Sequence, residues 1–102
     1  MNDITVAELK ERMDKGEHLN IIDVRESYEY EEFNIGGKLI PMGTIPSALP
    51  ELENLKNEEI IVHCRSGSRS AQVKMFLEDS GFSKVRNLKG GMLAWMDQSA
   101  NS

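Results

Sequence analysis

Ile60-Ile61-Val62-His63-Cys64-Arg65-Ser66-Gly67-Ser68-Arg69-Ser70-Ala71 is the stretch that decides the fold. Its first residues are apolar and β-branched, which reads as a buried strand. Ser66-Gly67-Ser68 is a turn. Beyond it, Val73, Phe76 and Leu77 share one face of a helix from about Arg69 to Ser80, and Gly81 closes that helix. A strand that turns directly into a helix is the repeating half of a parallel sheet covered by helices.

Working outward, the same alternation continues in both directions. Thr5 and Glu8 form a capping-box pattern ahead of Val6, Leu9 and Met13, so a first helix runs from about Val6 to Lys15. Asn20-Ile21-Ile22-Asp23-Val24 is a short apolar run suited to a buried parallel strand. Ser27 to Phe33 reads as a short helix broken by Gly36-Gly37, and Leu39-Ile40 as a brief strand. Pro41 to Pro50 holds all three prolines and reads as a loop, followed by one or two helical turns over Glu51 to Leu55. Val85-Arg86-Asn87-Leu88 is a last strand, and Gly90-Gly91 leads into a helix carrying Met92, Leu93, Trp95 and Met96. The expected class is α/β, a central, mainly parallel sheet with helices on both faces, in which ligands sit beyond the carboxyl ends of the strands.

With 102 residues the chain makes one domain, taken as 1–102 with its core over about 4–97, and leaves room for only a shallow site. No apolar run approaches the ~18 residues that span a bilayer, and the N-terminus lacks a secretory pattern, so a cytoplasmic protein is expected. The net charge of −5 argues against nucleic-acid binding, which relies on clustered Lys and Arg. The acidic runs Glu26–Glu32 and Glu51–Glu59 read as solvated helix faces. A single cysteine, Cys64, rules out an intrachain disulfide, and with only His18 and His63 beside it no thiolate zinc site is expected.

The residues after Cys64 are small or basic. Small residues let successive backbone N–H groups curl around one point, and the helix start adds unpaired donors and partial positive charge. Arg65 and Arg69 add two full charges, with the Arg69 guanidinium expected to turn back across the mouth of the loop. Such surroundings favour thiolate over thiol, which makes Cys64 a nucleophile and Arg65, Ser66, Gly67, Ser68, Arg69 and Ser70 its anion-binding cradle. His63 reads as a strand residue, since an already ionised thiolate needs no base. Asp23 and Arg25 read as a hydrogen-bonded tie between loops, Gly90-Gly91 as a close backbone approach to the cysteine loop, Trp95 as packing, and Met42 and Gly43 as a pocket border.

Cys64-Arg65-Ser66-Gly67-Ser68-Arg69-Ser70 resembles the active-site loop of rhodanese-domain sulfurtransferases. Asp23-Val24-Arg25-Glu26 resembles that family's Asp-x-Arg signature. Asn34-Ile35-Gly36-Gly37 through Ile40-Pro41 is similar to its central glycine-proline segment, and Gly90-Gly91-Met92-Leu93-Ala94-Trp95 to its C-terminal signature. The chain departs from the family at Asn34, where a His is frequent.

The resemblance implies a three-layer rhodanese-like fold and a double displacement without metal or organic cofactor. Cys64 takes the outer sulfur of a small anionic donor such as thiosulfate, forms a persulfide, and passes the sulfur to a thiophilic acceptor, either a small molecule or an acceptor protein. Two other classes compete. A persulfide carrier or docking module serving a partner would turn over slowly without that partner. A cysteine phosphatase or arsenate reductase also sets Cys before Arg, but cysteine phosphatases have five residues between them, whereas four lie between Cys64 and Arg69. The smaller loop suits a sulfur atom.

Overall fold

The computed structural model of the chain describes residues 1–100. Four parallel strands form its sheet: β1 (Asn20–Asp23), β2 (Lys38–Leu39), β3 (Glu59–His63) and β4 (Lys84–Asn87), in the spatial order β2-β1-β3-β4. Five helices connect and cover them: α1 (Val6–Asp14), α2 (Ser27–Glu32), α3 (Ile45–Leu52), α4 (Ser68–Asp79) and α5 (Gly91–Ala100). None of the described helices is long and apolar enough to cross a membrane.

Side-chain alternation along the strands divides the core into two layers. Ile22, Ile60, Val62 and Val85 point to one face, where they pack with Ile45 and Leu52 of α3 and Val73 and Leu77 of α4. Ile61 points to the other face, with Ile4, Val6, Leu9 and Leu88, and Ile21 and Trp95 pack against this group. Lys10 of α1 lies 4.8 Å from the centre of the Trp95 ring, so α1 and α5 meet through an amphipathic stem as well as apolar contact. The expected three layers are therefore present, helix, sheet and helix.

Several local details differ from the sequence expectation. The segment from Pro41 to Pro50 is not a loop: a 3-10 turn over Met42–Thr44 runs into α3. Pro46 sits in the first helical turn, where its missing N–H has no intrahelical partner to lose. Pro50 falls near the helix end, where it removes one bond, and burial of Ile45 and Leu52 offsets that loss. On α4, Val73 and Leu77 are buried but Phe76 is 37% exposed, so the apolar face is narrower than the spacing implies. Thr5 caps α1 by accepting from the Glu8 N–H at 3.1 Å, but Glu8 does not return the bond. Its carboxylate accepts instead from Arg86, 3.1 Å away. Leu88 lies beyond β4 and pairs as an isolated bridge with Ile4.

The acidic run near Glu59 is more than a solvated face. Arg12 grips the Glu59 carboxylate through two bonds of 2.9 and 2.6 Å, and Arg86 adds a third of 3.0 Å. The Arg12 guanidinium holds this carboxyl below its ordinary range against the opposing effect of burial. The network locks α1 to the entry ends of β3 and β4, far from the strand ends that carry Cys64.

The order β2-β1-β3-β4 makes the chain leave β1 toward one edge of the sheet and leave β3 toward the other. The loops after β1 and β3 therefore diverge and open a crevice at their carboxyl ends, the usual ligand position in open α/β sheets.

The burial pattern of α4 gives a direct test. Leu77→Ala should cost about 2–5 kcal/mol in urea unfolding, and Phe76→Ala less than half as much. Equal losses would show that both residues face the core.

Candidate functional site

β3 delivers Cys64 to the crevice, and the backbone then folds back so that α4 starts beneath the sulfur. Gly67 makes this turn at φ +109°, a left-handed conformation in which an L side chain is strained. Gly67 is also the N-cap of α4 and brings no side chain to satisfy the first helical N–H groups. The Cys64 Sγ fills that role. It accepts from the Gly67 N–H at 3.1 Å and from the Ser70 N–H at 3.4 Å, and the Ser70 Oγ lies 3.3 Å away. The sulfur thus caps a twelve-residue helix.

Burial alone would push the Cys64 thiol up. The Ser70 hydroxyl and the N–H groups of Ser70, Gly67 and Ser66 outweigh it and hold the group below the ordinary cysteine value. Cys64 itself has no exposed surface.

Two further elements hold the loop in shape. The α5 start approaches so closely that a Cβ on Gly91 would lie 2.4 Å from the Cys64 carbonyl oxygen. That approach lets the Met92 N–H donate to the Cys64 carbonyl at 2.9 Å and the Leu93 N–H to the Arg65 carbonyl at 3.0 Å. The close approach expected of Gly90-Gly91 is therefore made by Gly91. From β4, the Asn87 Nδ2 donates to the Gly67 carbonyl at 3.1 Å, and its Oδ1 lies 2.6 Å from the Ser70 Oγ. Asn87 pairs in register with Val62, which puts it beside the strand end that carries the cysteine.

The loop after β1 forms the opposite wall. Asp23 is buried and takes the Arg25 guanidinium through bonds of 2.9 and 2.8 Å; Arg25 also donates to the Phe33 carbonyl at 2.7 Å. This is the loop tie that the Asp-x-Arg pattern predicts. Glu29 closes a capping box with Glu26 at the start of α2 and receives Arg69 from across the crevice. The pair is bidentate, Nη1 to Oε1 at 2.8 Å and Nη2 to Oε2 at 3.0 Å. Arg69 holds the Glu29 carboxyl down to about 2.

The sequence-derived site residues now sort by position. Cys64, Gly67 and Ser70 converge on one point. Arg65, Ser66 and Ser68 stand exposed at the rim, and the Arg65 guanidinium has no partner among the described residues. The Arg69 guanidinium is paired with Glu29 of the opposite wall, and Glu29 first, with the charge at Cys64 adding to it, holds it in its charged form. Met42 lines a separate groove with Pro46 and Phe76 on the α3–α4 side, not the crevice beside Arg65. His63 is fully buried and burial keeps its imidazole neutral; its Nε2 is 3.7 Å from Asp23, and neither ring nitrogen makes a well-formed hydrogen bond. It lies on the strand beneath the loop, in keeping with a strand residue. Asn34 uses its side chain locally, accepting from the Gly36 N–H at 2.9 Å and donating to the Tyr30 carbonyl at 3.1 Å.

A cavity of about 150 Å³ adjoins the loop between α2 and α5, lined by Arg25, Glu29, Glu32, Phe33, Arg65, Met92 and Met96. Among the described residues no cluster of three or more His, Cys, Asp and Glu is arranged to hold a metal ion. The arrangement can hold one ionised sulfur, and a second atom bonded to it, against a fixed set of N–H donors.

Comparison with known proteins agrees with this geometry. The chain is 42% identical to the protein YtwF of Bacillus subtilis over 96 residues, covering 93% of this chain and 90% of that protein. It is 33% identical over 96 residues to a protein of Allochromatium vinosum named "Sulfurtransferase", covering 93% and 88% of the two chains. The crystal structure of a rhodanese-like domain protein from Staphylococcus aureus superposes with a TM-score of 0.82 at 40% identity, over 93% of this chain and 91% of that one. The sequence profile of the rhodanese-like domain matches residues 5–98, and with the cysteine loop, its supporting strands and these relatives in agreement, the chain belongs to the rhodanese-like domain family.

Proposed function

We propose that the chain is a sulfurtransferase in which Cys64 carries a sulfur atom as a persulfide. It takes that sulfur from thiosulfate or a similar sulfane donor and hands it to a thiophilic acceptor. One observation carries the reading: three protein donors converge on a single sulfur at the N-terminus of α4. The likeness to a relative named "Sulfurtransferase" supports the same class of reaction.

With thiosulfate as donor, the Cys64 thiolate attacks the outer sulfur. A new S–S bond forms, the bond to the inner sulfur breaks, and sulfite leaves with the electron pair. The product, Cys64–S–S⁻, places its negative outer sulfur near the loop N–H groups, which need no reorganisation to meet it. A thiolate or cyanide then attacks that outer sulfur, and the Cys64 thiolate is regenerated. The two steps conserve charge and need neither oxidant nor reductant.

Because Cys64 is covered, a donor reaches it by displacing a side chain at the rim. The Arg65 and Ser66 side chains are exposed there. Ser70 has one proton and two other acceptors in reach, Asn87 Oδ1 at 2.6 Å and the Gly67 carbonyl at 3.3 Å. Its hydroxyl follows the charge, turning to the sulfur when that carries it.

Intact-mass measurement after incubation with thiosulfate should show a gain of ~32 Da, absent in Cys64→Ser, as a covalent intermediate requires. An unmodified wild-type mass under conditions that load a known sulfurtransferase would refute the reading.

The alkylation rate of Cys64 against pH should have its midpoint below the ~8.5 of free cysteine, and Ser70→Ala should raise that midpoint. The sign follows from the loss of a donor that favours the ionised form. A midpoint in the wild type at or above the free value would show that burial outweighs the loop donors.

A further inference from the structure

Asn87 is a polar side chain only 7% exposed, and both ends of its amide are used beside the cysteine. Its backbone is fixed independently of the cysteine loop. The Asn87 N–H donates to the Asp3 carboxylate at 3.2 Å, and its carbonyl accepts from the Ile4 N–H at 3.0 Å. The Nδ2 donates to the Gly67 carbonyl at 3.1 Å, and because a carbonyl only accepts, the amide has one orientation, with Oδ1 toward Ser70. Oδ1 also only accepts. Its separation of 2.6 Å from the Ser70 Oγ therefore requires the Ser70 proton between the two oxygens. The Cys64 Sγ, 3.3 Å from the same Oγ, competes for that one proton.

Charge at Cys64 decides the competition. With a thiolate, the O–H turns to the sulfur and leaves the buried Asn87 oxygen without its donor, which costs the thiolate form free energy. In the persulfide the Sγ is a neutral, bonded sulfur, and the charge sits on the outer atom about 2 Å away. The O–H then returns to Asn87. We propose that Asn87 is a positioning residue for sulfur transfer: by reclaiming the Ser70 proton as charge leaves the Cys64 Sγ, it favours the sulfur-loaded cysteine over the free thiolate. This rests on the reading of Cys64 as the persulfide-forming residue. No proton leaves Ser70 in either direction. Its O–H only rotates, and the bonds made and broken are those of the displacement at sulfur.

The test uses Asn87→Leu, close in shape and without hydrogen-bonding groups, and Asn87→Ala, each alone and combined with Ser70→Ala. The Gly67 carbonyl also accepts from the Ala71 N–H at 3.0 Å, so neither substitution leaves it unpaired. Both are neutral, so Arg65, the Arg69–Glu29 and Arg25–Asp23 pairs and the buried, neutral His63 act on Cys64 as before. Intact mass at a fixed ratio of thiosulfate to sulfite, at a pH where Cys64 is ionised, should give a loading constant about tenfold lower in either variant. The midpoint of Cys64 alkylation should move down, because the Ser70 proton is released to the thiolate. Mere loosening of the loop would move it up, by weakening the N–H donors. With Ser70→Ala in place, neither Asn87 substitution should change loading or midpoint further. A second measurement needs no variant. In the wild type, the NMR carbon resonance of the Asn87 side-chain carbonyl should move upfield as Cys64 ionises and return when thiosulfate loads it. An unchanged loading constant, a rising midpoint, or a resonance that is still through both steps overturns the proposal and leaves sulfur transfer standing. A wild type that thiosulfate does not load at any ratio to sulfite overturns the sulfur-transfer reading itself, and the proposal with it.

Discussion

The contact between the Cys64 sulfur and the start of α4 organises the rest of the molecule. A helix start needs an acceptor for its free N–H groups, and here the side chain that supplies it comes from the preceding strand rather than from the cap residue. Gly67 at the cap keeps that place empty. The same atom therefore ends a strand, begins a helix and gains a bias toward negative charge. Its position depends on β3 lying between β1 and β4, because both neighbours deliver supports to the loop.

Those supports are of different physical kinds. The α5 side contributes backbone N–H groups, packed at a distance that no side chain permits at Gly91. The β4 side contributes one amide, Asn87, which spans Gly67 and Ser70. The β1 side contributes carboxylates that bind arginines. Backbone and amide contacts fix geometry with little net charge, whereas the carboxylates decide how much positive charge is left over. Shape and charge at the site are thus set by separate parts of the chain.

Much of this was legible in the sequence. The strand, turn and helix around Cys64 and the tie between Asp23 and Arg25 follow from local pattern, and the structure contains them; the close approach of the Gly90-Gly91 segment was legible only through its likeness to the family's C-terminal signature. What escaped depends on contacts between segments distant in sequence. Glu29 looked like one acid in a solvated run, because nothing local reveals that Arg69, forty residues later, reaches it. Asn87 looked like an ordinary strand residue, although a polar side chain at the carboxyl end of a strand beside the cysteine strand was a usable signal. The proline segment misled for a different reason. Proline breaks a helix in its interior but is compatible with its first turn, and Pro46 and Pro50 occupy the two ends of α3.

The approach of Gly91 has a consequence for modularity. The Cys64 and Arg65 carbonyls are held by a helix that begins 27 residues after the cysteine, in a different supersecondary unit. The seven-residue loop is therefore not a transplantable cassette. Grafted onto another parallel sheet with its own strand and helix, it would keep the sulfur at a helix start but lose the clamp on its outer face. An engineer moving this chemistry to a new scaffold has to carry two discontinuous pieces, the β3–α4 turn and the β4–α5 turn, with the spacing between them intact.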